Sequence, residues 1–170
     1  MAMREIKIYG DPILREKTCL VREITPRTKE LIKDMAETMY GSKGVGLAAN
    51  QIGVDAQIMT VDVGRGLLVL VNPRVLSSFG EESAEEGCLS LPDIRVGVRR
   101  AAKVKVEGLN EEGKEVEIEA EGLLARAIQH EIDHLNGILI TDRISLARRH
   151  LLSSHLKKLE GSSKSLPERR

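Results

Sequence analysis

Apolar and polar residues alternate with period two through KVKVEGL (103–109) and EVEIEAE (115–121), on either side of Asn110 to Gly113. Alternation gives each face of a strand its own character, and the break between the two runs predicts a β-hairpin. The stretches AQIMTVDV and GLLVLVNPRVL are β-rich and predict further strands. Elsewhere the period lengthens. In ITPRTKELIKDMAETMYG, Leu31, Ile32, Met35 and Met39 recur at helical spacing; Thr25 suits an N-cap, Pro26 the first turn and Gly41 the end. EGLLARAIQHEIDHLNG predicts a second helix with Leu124, Ile128, Ile132 and Leu135 as its apolar stripe, stopped by Asn136-Gly137. RISLARRHLLSSHLKKLE predicts one basic amphipathic helix. Strands joined by hairpin chemistry, not by repeated βα units, indicate an α+β fold.

A chain of 170 residues is long enough for one domain with a substantial core. Its 26 basic and 26 acidic residues argue against dedicated DNA binding. The balance hides a gradient: from Thr141 onward eight Lys/Arg stand against three acidic residues, so that segment is +5 and the rest −5. MAMREIKIYGDPIL has no apolar run behind a basic start, and no eighteen-residue apolar span occurs, so the expectation is a soluble, cytoplasmic chain with no membrane contact. Its two cysteines are expected to stay reduced, with Cys19 in KTCLV as a small core residue.

The second helix also carries QHEIDHLNG. Four residues span about one helical turn, so His130 and His134 lie on one face at the separation two ligands of one ion require. Glu131, beside them, can serve a water without being a ligand, which is why H-E-x-x-H recurs in metal-dependent hydrolases. A helix with two incidental histidines is the plain alternative. A hydrolytic centre needs a third protein ligand. A metzincin protease would supply a histidine where Ile140 stands, and the glutamates after His134, Glu160 and Glu168, are badly placed for a thermolysin-like site. Upstream, in EEGCLSLPDIRVGVRR, Cys88 sits among small and turn-forming residues and is the best remaining candidate.

GVGLAANQIG (44–53) matches the dinucleotide fingerprint only superficially, because it follows a helix where the fingerprint needs a strand. Gly44 and Gly46 around Val45 leave backbone groups open to an extended peptide. Gln51 offers a neutral donor suited to an oxyanion.

Together GVGLAANQIG, EGCLSLP and QHEIDHLNG, in that order and spacing, resemble the three signature motifs of bacterial peptide deformylases, and the likeness runs from IKIYGDPILREKT to ILITDRIS. The resemblance implies antiparallel or mixed sheets around a central helix bearing H-E-x-x-H, flanked by N- and C-terminal helices. It implies removal of the formyl group from N-formylmethionine on new polypeptides, with release of formate. Cys88, His130 and His134 would then hold one divalent transition metal, natively iron(II), with zinc, nickel or cobalt able to substitute. Glu131 would be the general acid/base, and Gln51 with the Leu89 N–H the oxyanion donors. Val45, Leu123 and Ala127 would line the methionine pocket, with Arg126 at its entrance, and Gly46 and Arg95 would also bind the substrate. Arg95 and Arg100 fall near the site, and one of them is expected to hold Glu86 in a supporting salt bridge. The alternatives are an H-E-x-x-H metallopeptidase of other specificity and a non-catalytic ribosome-associated homologue.

Residues 1–143 are expected to form the catalytic domain, 144–160 a basic helix packed on it, and 161–170 a flexible tail. The substrate gives the basic helix a use. Docked near the ribosomal exit tunnel through Arg148, Arg149, Lys157 and Lys158, and anchored by Leu146, Leu151, Leu152, Leu156 and Leu159, it would raise the local concentration of formylated N-termini.

Overall fold

Thr25 adopts an extended backbone and its hydroxyl accepts from the Thr28 N–H at 3.2 Å, while the Thr28 hydroxyl accepts from the Thr25 N–H at 3.2 Å. This reciprocal cap, worth about 1 kcal/mol, starts α1 (Pro26–Gly41) at the expected residue. The computed structural model describes residues 2–165. After α1 come seven strands: β1 (Gly46–Ala48), β2 (Ile58–Val61), β3 (Leu68–Phe79), β4 (Glu82–Cys88), β5 (Leu91–Arg100), β6 (Lys103–Leu109) and β7 (Glu115–Glu121). Then follow α2 (Gly122–Leu135), α3 (Leu146–Leu151) and α4 (Ser153–Ser165).

Five strands form one antiparallel sheet in the order β1-β2-β3-β6-β7, and β4 with β5 forms a separate antiparallel ribbon. The alternating runs 103–109 and 115–121 are its β6–β7 hairpin, with Lys103 opposite Glu121. Period-two alternation lets the large sheet bury both faces. Ile58, Val69 and Val71 pack with Ile32, Met35 and Met39 of α1, whereas Met59, Val61, Leu70, Val104 and Val106 pack with Ala125, Ile128 and Leu135 of α2. Met35, Met39, Met59, Leu70 and Ile128 are fully buried, and each such side chain contributes roughly 1.5–3 kcal/mol. The helix α2 therefore lies between the large sheet and the β4–β5 ribbon. That placement decides the site.

The ribbon differs from the sequence reading, in which 82–100 is turn-rich around Cys88. Its parity is nevertheless plain: Ile94, Val96, Val98 and Arg100 point inward and are buried, while Arg95 and Arg99 point out. Ile94, Val96 and Val98 share a cluster with Leu14, Leu91, Leu139, Ile140 and Leu156.

Three other expectations change. The C-terminal segment is two helices, α3 and α4, broken at Leu152, which caps α3 by donating to the Arg149 and His150 carbonyls. Leu152, Leu156 and Leu159 pack on the ribbon's core as expected, but Leu146 and Leu151 are 83% exposed and do not join that core. Cys19 is exposed, not core: its N–H donates to Asp55 Oδ1 at 2.8 Å and its thiol to Asp55 Oδ2 at 3.3 Å. Helix α4 continues through Ser165, and the rest of the expected tail, 166–170, lies outside the described residues. Among the described residues no helix is long and apolar enough to cross a membrane.

Candidate active site

Helix α2 presents His130 and His134 one turn apart, ring centroids 4.8 Å from each other, toward the end of the β4–β5 ribbon. There a register shift after Gly87 turns Cys88 against them. Cys88 Sγ lies 3.2 Å from His134 Nε2, which lies 3.1 Å from His130 Nε2. The ligand atoms of all three fall within 4.8 Å of one another. Donors on one tetrahedral ion stand about 3.4–3.6 Å apart at ordinary zinc-to-nitrogen and zinc-to-sulfur lengths. One thiolate and two imidazoles with this spacing could hold a divalent transition metal and leave a fourth position for water.

The surroundings favour a cation at that point. Glu86 accepts from His130 Nδ1 at 2.9 Å, which turns the other ring nitrogen toward Cys88 and His134. Burial alone would lower the pKa of His130, yet hydrogen bonds to Cys88 and Glu86 and the negative charges of Glu131 and Cys88 hold it well above the ordinary value. The same negative field favours a metal ion, which must displace that proton to bind. His134 moves the opposite way, well below its ordinary value, through burial and the positive charges of His130 and Arg100. A neutral imidazole is the form that ligates.

Glu86 itself is set by the ribbon's parity. It faces inward with Arg100, whose Nε and Nη2 donate to its two oxygens at 2.7 and 2.8 Å; Arg100 Nη1 continues to Asp133 at 2.8 Å. Burial would raise the Glu86 carboxyl, but bonds from His130 and Arg100 outweigh it and hold it at about 2. Of the two arginines considered, Arg100 is thus the one that holds Glu86. Arg95 points outward and meets Glu85 at 3.6 Å with both side chains about two-thirds exposed, a contact worth little. Arg126 borders the cleft, but it is buried and its guanidinium turns into the ribbon toward Glu86, Val98 and Glu82.

Cys88 and His130 open onto a cleft of about 600 Å³. One wall is Lys43–Gly46 with Gln51, the other Glu85–Cys88, Leu89 and Leu91–Arg95, and α2 adds Leu123, Arg126, Ala127, His130 and Glu131. Of the residues expected at the site, His134 and Arg100 do not border it; His134 lies buried beside Cys88 and His130. Leu123 and Val45 sit at the rim, about half exposed, while Ala127 is buried deeper. Glu131 is buried, its Oε1 4.0 Å from His130 Nε2 and its Oε2 without a hydrogen-bond partner among the described residues. Burial pushes its carboxyl up to about 7, against the lowering effect of His130 and Arg100. Gln51 Nε2 lies 3.1 Å from Ser90 Oγ and 3.7 Å from Cys88 Sγ, and its Oε1 accepts from the Ala48 N–H at 3.0 Å, which fixes the amide's orientation.

The glycines have reasons that sequence did not supply. A Cβ on Gly44 would stand 2.7 Å from Leu89 Cδ1, and one on Gly46 would stand 2.6 Å from Glu131 Oε1. These two positions let the motifs pack against each other. The residue that sequence passed over is Asn50, fully buried, whose Nδ2 donates to the His134 carbonyl at 2.5 Å and ties the 3₁₀ turn Ala49–Ile52 to the end of α2. Its proximity to Gln51 was the available signal.

Residues 3–150 match the sequence pattern of polypeptide deformylases. The chain belongs to the polypeptide deformylase family. It is 54% identical over 143 residues to the peptide deformylase of Carboxydothermus hydrogenoformans, covering 84% of this chain and 94% of that one. The deformylase of Halothermothrix orenii is also 54% identical, over 85% of this chain and 95% of its own. Among solved structures, the peptide deformylase of Thermus thermophilus superposes with a TM-score of 0.90 at 38% identity, covering 95% and 99% of the two chains. That of Legionella pneumophila gives 0.88 at 42% identity over 97% and 99%. The protein is accordingly a metal-dependent hydrolase of the deformylase class, and the metallopeptidase alternative has no support.

Proposed function

We propose that this deformylase removes the formyl group from N-formylmethionyl nascent chains in the cytoplasm, using Cys88, His130 and His134 to hold one iron(II), for which zinc, nickel or cobalt can substitute. Glu131 is the general acid/base, and Gln51 with the Leu89 N–H receives the oxyanion. The observation that carries this assignment is the meeting of three ligand atoms from two elements, with the buried Glu131 carboxylate beside them.

A bound divalent metal supplies Lewis acidity and makes water more acidic. Glu131, held near neutrality by burial, takes the proton of the attacking water. The water oxygen bonds to the formyl carbon, and the negative charge moves to the former carbonyl oxygen. Gln51 Nε2, oriented through its own oxygen by Ala48, donates to that oxygen with the Leu89 amide. The carbon–nitrogen bond then breaks, Glu131 returns its proton to the departing amine, and formate leaves. Gly46 on the edge strand β1, with Arg95 on the facing wall, borders the path of an extended peptide; Val45, just before that strand, lines the methionine pocket with Leu123 and Ala127.

Residues 1–143 are the catalytic unit and 144–160 a helical extension packed on it through Leu152, Leu156 and Leu159. The exposed Leu146 and Leu151, with Arg148 and Arg149 between them, form the ribosome contact near the exit tunnel.

Anaerobically purified protein assayed for formate release from a formyl-Met peptide, with metal analysis of the same sample, tests the reading. Activity, about one metal per chain and decay in air are expected. Full metal content in Cys88→Ala, His130→Ala or His134→Ala would remove the ligand assignment, and equal air-stable activity would replace iron with another metal.

A further inference from the structure

Arg126 is buried, carries a charge that the reaction does not use, and spans the two elements that deliver the ligands. It leaves α2 one turn before His130. Its Nη1 donates to Glu86 Oε2 at 2.6 Å and to the Val98 carbonyl of β5 at 2.8 Å, and its Nη2 donates to the Glu82 carbonyl of β4 at 2.8 Å. One planar fork therefore ties the helix that carries His130 and His134 to both strands of the ribbon that ends in Cys88. A metal held by Cys88 and the two histidines would bridge that same gap.

The bond to Glu86 adds a second constraint. Glu86 Oε2 receives Arg126 Nη1 and Arg100 Nε, and Oε1 receives Arg100 Nη2 and His130 Nδ1. Two donors on each oxygen fix the carboxylate's rotamer and plane, and hence the direction of the lone pair that His130 meets. Arg100 cannot provide this alone, because its third nitrogen is committed to Asp133, which Arg143 also holds at 2.7 and 3.0 Å. A buried guanidinium with charge-assisted bonds in three directions costs little in local freedom and fixes what it touches.

We propose that Arg126 is a positioning residue of the metal centre, holding α2 at a set distance from the β4–β5 ribbon and Glu86 in the orientation that aims His130 Nε2 at the ion. Its guanidinium reaches the metal centre through Glu86 and the ribbon backbone. The proposal rests on Cys88, His130 and His134 being the ligands. Loss of an outer partner of a ligating histidine weakens metal binding by roughly 10- to 100-fold, and that is the effect assigned to Arg126.

The test is cobalt(II) binding to metal-free protein, followed by the thiolate charge-transfer and d–d absorption of the bound ion. Arg126→Met keeps the aliphatic stem and removes the fork; its cobalt(II) Kd is expected to rise at least about 10-fold, with shifted d–d bands. A purely structural role would lower Tm and leave both readouts as in the wild type. Arg126→Lys retains the charge, but one ammonium cannot serve Glu86, Val98 and Glu82 together, so affinity is expected to stay at least about 3-fold below wild type. This variant decides the matter if Arg126→Met does not fold. Wild-type Kd and spectrum in the folded variants overturn the proposal. If the wild-type protein itself shows no thiolate-to-cobalt band, the ligand assignment fails instead.

Discussion

Gly46 and Glu131 meet so closely that a Cβ on the glycine would lie 2.6 Å from the Glu131 carboxylate oxygen and 3.0 Å from its Cγ and Cδ. The edge strand β1 and helix α2 can approach to this distance only because residue 46 has no side chain. Gly46→Ala should therefore keep the fold and the metal ligands but displace the carboxylate. A loss on the order of 10²-fold in kcat is expected, within the range set by general acid/base catalysis. Steady-state kinetics on a formyl-Met peptide, alongside metal content, checks this, and unchanged kcat would refute it.

Glu131→Ala removes no ligand, so it should retain metal and lose roughly 10²- to 10⁴-fold in kcat/KM. Gln51→Ala should also retain metal and lose on the order of 10²–10³ as one oxyanion donor. Wild-type kcat/KM in either variant would cancel that residue's role.

Asp34 provides a pH test away from the metal. The Ala2 N–H and the Arg4 guanidinium donate to it and hold its carboxyl below the ordinary 3.8. The unfolded chain then takes up this proton at a higher pH than the folded one. The contribution is full above the ordinary value and fades as pH falls through the folded one. Asp34→Asn should lower Tm at pH 7 and make progressively less difference on acidification below about pH 4. A Tm deficit independent of pH would show that the charge is not what Asp34 contributes.

Arg148 is exposed and Arg149 half-buried, 3.9 Å from Asp142; both can be altered without opening the core, whereas deletion from Ser145 would strip Leu152, Leu156 and Leu159 from the ribbon. Arg148→Glu with Arg149→Glu should weaken salt-sensitive co-sedimentation with ribosomes and leave turnover of a short formyl-peptide unchanged. Equal co-sedimentation across a salt series would exclude α3 as the contact.

The pieces legible in the chain are those whose signals are local. Period-two alternation set the β6–β7 hairpin, Thr25 and Pro26 set the start of α1, and the four-residue spacing put His130 and His134 on one face of α2. Hydrophobic periodicity and capping act within a few residues, so they can be read without the fold. The motif set named the family and its candidate ligands. The parity that buries Arg100 with Ile94, Val96 and Val98 was also written in the chain, but it becomes meaningful only once 82–100 is known to be a ribbon. Long-range packing selected which arginine meets Glu86, turned Arg126 inward, brought Asn50 to His134, and made Gly44 and Gly46 spacers between motifs. Most of those contacts join residues tens of positions apart, and no local preference encodes which distant partner a side chain meets. The break at Leu152 and the exposure of Cys19 have the same origin: packing against the ribbon and pairing with Asp55 settle them, and both partners lie elsewhere in the chain.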